Sequence, residues 1–102
     1  MLVAMNRIAE YVQGLSLDAF VSDHRTVDAV IRNFEIIGEA SNKISAEFKD
    51  QYPSIPWAEM YLLSNKISHE YFGIDYEIIW DLITNHLPAN IKQIEVILSS
   101  LD

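Results

Sequence analysis

Thr26-Val27-Asp28-Ala29-Val30-Ile31-Arg32-Asn33-Phe34-Glu35-Ile36-Ile37-Gly38-Glu39-Ala40 decides the fold class of this chain. Val27, Val30, Ile31, Phe34 and Ile37 recur every three or four residues, the period of one α-helical face. Ile44 and Phe48 extend the same stripe, so the spacing predicts one helix from near Thr26 to about Lys49. A glycine inside a helix costs about 1 kcal/mol relative to alanine. Gly38 therefore predicts close approach of a neighbouring helix.

The helical period continues in both directions. Leu2, Met5, Ile8 and Val12 form a first stripe, which begins at Met1 without a capping residue and ends near Gly14. Ser16 is a candidate N-cap for a short helix through Leu17, Asp18, Ala19 and Phe20. Gln51-Tyr52-Pro53-Ser54-Ile55-Pro56 reads as a loop, and Pro56 suits the first turn of a helix over Trp57 to Tyr71. Gly73 ends that helix, and Asp75 can cap the next, which carries Ile78, Ile79, Leu82 and Ile83. Pro88 starts a last helix with Ile91, Ile94, Ile97, Leu98 and Leu101. The expected fold is all-α, an antiparallel bundle of four main helices plus a short one, in a single domain over 1–102. Ile36 beside Ile37, and Trp80 beside Ile79, widen two stripes beyond one face. That width suits either a two-fold dimer interface or burial within the bundle.

Composition narrows the function. There is no Cys, which removes disulfide and thiolate chemistry and fits an intracellular, cytoplasmic protein. No apolar run approaches the roughly 20 residues needed to span a membrane, and Met1-Leu2-Val3-Ala4-Met5 lacks the features of a signal peptide. The formal charge is −8, with 15 acidic against 7 basic residues. Such a surface repels nucleic acid at long range, so an RNA contact needs a local pocket.

The tract Ser64-Asn65-Lys66-Ile67-Ser68-His69-Glu70-Tyr71 places polar, titratable groups on an otherwise apolar helix. Asn65 and His69 are four apart and share a face; Ser64 and Tyr71, seven apart, share another. Metal-free RNA cleavage needs a base for the ribose 2′-OH, an acid for the leaving 5′-oxygen and a donor for the charged phosphorane. His69 has the pKa for one proton transfer, and Asn65 can donate through its amide. The bland reading is that His69 is a helix-end residue favoured by the C-terminal dipole and that Tyr71 is a core-edge residue. His24 and His86 show no ligand spacing with His69, so no metal site is expected. Glu35 and Glu39 are spaced to share a cation, although a solvated face is the simpler reading of Glu35.

The segments Arg32-Asn33-Phe34-Glu35-Ile36-Ile37-Gly38-Glu39-Ala40, Ile55-Pro56-Trp57 and Asn65-Lys66-Ile67-Ser68-His69-Glu70-Tyr71-Phe72-Gly73-Ile74-Asp75 together resemble the HepT family of HEPN-domain proteins. The likeness covers nearly the whole chain. It implies a dimeric all-α bundle, with the motif helices of two protomers facing a shared cleft. It also implies the toxin of a type VII toxin–antitoxin pair, a metal-independent ribonuclease without a cofactor that cuts tRNA or mRNA. The implied antitoxin is a minimal nucleotidyltransferase (MntA) that uses ATP to place AMP on a tyrosine. Carried onto this chain, the motif's polar residue is Asn65, its histidine His69 and its modified tyrosine Tyr71. Where the family has Arg, this chain has Ser64. Arg to Ser removes a fixed charge and a bidentate phosphate contact, which commonly costs roughly 100- to 1000-fold in rate. The alternative reading is therefore a non-catalytic dimeric module that binds the nucleotidyltransferase and accepts AMP.

Overall fold

The structure, a computed structural model, describes residues 1–58 and 76–101. Within them the chain is helical and forms no strand. Helix α1 spans Leu2–Val12 and buries Ala4, Met5, Ile8 and Val12, the predicted stripe with Ala4 in place of Leu2. Gly14 follows at φ +79°, a left-handed conformation that glycine adopts without a Cβ clash. It lets the Leu15 N–H turn back onto the Val12 carbonyl at 2.9 Å. Helix α2, Leu17–Ser22, starts as expected at Ser16, whose Oγ accepts the Ala19 N–H at 3.2 Å.

Helix α3, His24–Lys43, differs at both ends from the expected Thr26–Lys49. Its N-cap is Asp23, whose carboxylate accepts from the Thr26 N–H at 3.2 Å and the Thr26 hydroxyl at 2.7 Å. At the other end Ile44 is extended, and Ser45 caps a new short helix α4, Ala46–Gln51, by accepting the Phe48 N–H at 3.1 Å. A local side-chain acceptor thus outcompetes continuation of the apolar period. Ile44 and Phe48 both still pack against the core from either side of this break.

Trp57 and Ala58 are helical, immediately after Pro56. The rest of the helix expected to reach Tyr71, with Gly73 and the Asp75 cap, lies outside the described residues. Helix α5, Tyr76–Asp81, runs into a π-turn over Leu82–His86 and then into helix α6, Leu87–Ser100, with no loop between. The expected fresh start at Pro88 is therefore a change of helical pitch. Pro88 has no N–H, and its ring crowds the carbonyl four residues back. The π-turn accommodates this by pairing the Leu87 N–H with the Leu82 carbonyl, five residues back.

The core draws on α1 (Met5, Ile8), α2 (Phe20), α3 (Val27, Val30, Phe34, Ile37), Ile55 and Trp57, and the C-terminal helices (Ile79, Ile83, Leu87, Ile94, Ile97). Helix α1 packs between α3 and α6, and α2 bridges α3 to α5. Each such aliphatic or aromatic side chain contributes about 1.5–3 kcal/mol by leaving water. Gly38 is buried on α3. No helix among the described residues is long and apolar enough to cross a membrane.

Candidate functional site

Ser64, Asn65, Lys66, His69 and Tyr71 lie outside the described residues. The two flanks of their tract are defined, and both are tied to the core.

The leading flank is the loop between α4 and Trp57. Pro53 pre-sets the backbone for a turn in which the Ile55 N–H donates to the Tyr52 carbonyl at 3.2 Å. The same carbonyl accepts the Trp57 indole N–H at 3.1 Å. Ile55 and Trp57 are buried, and the Trp57 ring meets Phe48 edge-on at 6.4 Å. From α3, the fully buried Ser41 donates its hydroxyl to the Trp57 carbonyl at 3.0 Å. From α6, Gln93 donates to the Ser54 carbonyl at 3.4 Å. On the trailing flank, Tyr76 is half-buried against the core and Trp80 packs on Phe20.

Helix α3 displays the first motif segment. Arg32 pairs with Glu35 at 3.3 Å on the surface, an i, i+3 contact of small energetic value. Glu39 is exposed. Among the described residues no three acidic, His or Cys side chains cluster as metal ligands would. His86 stands 3.4 Å from Asp81 across the π-turn, both well exposed, and His24 is the exposed first residue of α3. Asn33 is buried at 6% exposure. Its Nδ2 donates to the Ala29 carbonyl at 2.8 Å, while its Oδ1 has no partner among the described residues.

An open cleft of about 400 Å³ lies between the start of α1, α4 and α6, lined by residues including Leu2, Phe48, Trp57 and Ile97. Its wall is mainly aliphatic and aromatic. Sequence reading missed Ser41, Asn33 and Gln93. The signal that marks the first two is a polar residue on the apolar stripe of α3.

A family model described as "Ribonuclease HepT-like" matches residues 1–97, and the chain belongs to this family. The chain is 42% identical over 98 residues to a protein of Methanocaldococcus jannaschii named "Putative RNase MJ0127", covering 96% of this chain and 81% of that one. It is 40% identical over 91 residues to "Putative RNase TTE0752" of Caldanaerobacter subterraneus, covering 89% and 81%. It is likewise 40% identical over 86 residues to "Probable ribonuclease HepT" of Thermococcus cleftensis, covering 84% and 78%. No solved structure matches the chain.

Proposed function

We propose that this chain is the toxin of a HepT-type toxin–antitoxin pair, built for metal-independent endoribonuclease chemistry. The observation that carries the reading is the family match over residues 1–97 together with Asn65, His69 and Tyr71 at the motif spacing. In the reaction the ribose 2′-oxygen attacks the adjacent phosphorus and the bond to the 5′-oxygen breaks. The 2′-OH loses a proton and the departing 5′-oxygen gains one; His69 carries one of these transfers and water the other, while Asn65 donates a hydrogen bond to the phosphate oxygens as their charge grows. Two protomers supply a shared cleft, and RNA enters it despite the −8 charge of the chain. Control comes from a minimal nucleotidyltransferase that transfers AMP from ATP to the Tyr71 hydroxyl. The added phosphates bring negative charge and bulk next to His69.

Ser64 favours a second reading, in which the chain dimerises, binds the nucleotidyltransferase and accepts AMP without cutting RNA. Without the motif's Arg the phosphorane loses its strongest stabiliser. The experiment compares the chain as written, Ser64→Arg, and Ser64→Arg with His69→Ala, on tRNA and mRNA. Cleavage by Ser64→Arg that vanishes with His69→Ala supports ribonuclease chemistry. Equal inactivity of all three overturns it. Mass spectrometry after incubation with the nucleotidyltransferase and ATP tests the modification, and no AMP-sized addition on Tyr71 removes it.

A further inference from the structure

Ser41 is a polar residue on the most apolar face of α3, with no exposure at all. Its hydroxyl reaches 16 residues along the chain to the carbonyl of Trp57. Trp57 is the point at which the loop after α4 turns into the motif-bearing segment, seven residues before Ser64 and twelve before His69. Its indole is held at 3.1 Å by the Tyr52 carbonyl, and the turn carrying that carbonyl is held from α6 by Gln93 at Ser54. Burial of Trp57 fixes its depth. The Ser41 bond adds direction, because a hydrogen bond weakens steeply with misalignment whereas apolar burial is non-directional.

We propose that Ser41 is a positioning residue, which through the Trp57 carbonyl sets where the motif-bearing segment begins relative to α3. The inference rests on the ribonuclease reading given above. A hydroxyl that merely satisfied a buried carbonyl would, when removed, lower stability and leave the chemistry of the motif untouched. A positioning hydroxyl also moves the motif, and a misplacement of about 1 Å can cost on the order of 100-fold in rate.

The test uses the full chain with Ser41→Ala and the near-isosteric Ser41→Cys, which retains a weak donor. The ring resonances of the three histidines are followed by NMR through a pH titration. His24 at the start of α3 and His86 in the π-turn are internal references. The expected result is that Ser41→Ala shifts the His69 resonance and its titration midpoint, Ser41→Cys shifts them less, and His24 and His86 stay in place. In the Ser64→Arg background, Ser41→Ala is expected to lower kcat for RNA cleavage about tenfold with KM changed less than about twofold. An unmoved His69 resonance overturns the proposal, as does common movement of all three histidines. If Ser41→Ala does not fold, Ser41→Cys against the parent chain decides on the same resonances. If Ser64→Arg does not cleave RNA, the ribonuclease reading falls and the histidine resonances still judge Ser41.

Discussion

The Phe20 ring lies 5.2 Å from the Trp80 ring at a tilt of 36°, which joins α2 to α5. Phe20 is fully buried and Trp80 partly so. The wide apolar face that Trp80 gives its helix is thus used inside the chain, against the short helix that Ser16 caps. Trp80 follows Tyr71 by nine residues in the sequence. Phe20→Ala is expected to cost about 3–5 kcal/mol, as large-to-small aromatic core changes do. Urea denaturation monitored by Trp fluorescence measures it. A double-mutant cycle with Trp80→Leu should leave a coupling of about 0.5–1.5 kcal/mol for the ring pair; additive losses would deny the pair any role beyond burial.

Gly14 owes its identity to backbone conformation and not to space. An added Cβ would meet nothing within 4 Å, yet φ is +79°. Gly14→Ala should destabilise the fold by roughly 1–2 kcal/mol, the cost of a left-handed alanine. A thermal melt that leaves Tm unchanged would show that the α1–α2 turn can relax to negative φ.

Asp23 gives the described surface a pH dependence. The Thr26 hydroxyl, and next the Thr26 N–H, hold its carboxyl below its ordinary value of 3.8. A depressed folded pKa contributes stability above the unfolded value, and that contribution is lost as pH falls through the folded one. Asp23→Ala should therefore lower Tm at neutral pH. The gap from the parent chain should close in acid below the ordinary carboxylate range. A gap that persists there would assign the effect to packing.

Asn33 carries a buried carbonyl oxygen without a partner among the described residues. Leaving such a group unpaired costs about 1–3 kcal/mol, and an apolar replacement of similar shape can be neutral or stabilising. Asn33→Leu, which keeps the branching at Cγ, is expected to leave the urea midpoint unchanged or raise it. A loss above about 1 kcal/mol would mean that the Nδ2 bond to Ala29 outweighs the orphaned acceptor.

At the motif, Ser64→Arg should raise RNA cleavage roughly 100- to 1000-fold, the usual worth of a transition-state charge contact. The gain should survive a metal chelator. Gel assays of the chain as written and of Ser64→Arg, each with and without chelator, measure both effects. Tyr71→Phe should abolish AMP acceptance while leaving that cleavage in place.

The helical class, the Ser16 cap and most of the core were legible from spacing, because an amphipathic helix repeats its burial every three or four residues. Ser41 and Asn33 were not singled out, because their partners, Trp57 and a carbonyl one turn back, are not a matter of period. The roles expected of Asn65, His69 and Tyr71 rest on resemblance alone. Spacing puts Asn65 and His69 on one face and cannot distinguish a catalytic histidine from a helix-end one.

Hydrophobic period suffices to make the described residues helical, and residue order suffices to show the family, since both are local properties of a linear string. Where helices stop and how they join is decided in three dimensions. The apolar stripe runs on past Lys43, yet Ser45 ends α3 because its hydroxyl captures the Phe48 N–H. Pro88 promises a break, yet α5 passes into α6 because a π-turn spares the proline its missing bond. Only packing brings Ser41 to Trp57, 16 residues on, and so ties α3 to the start of the segment that bears the motif.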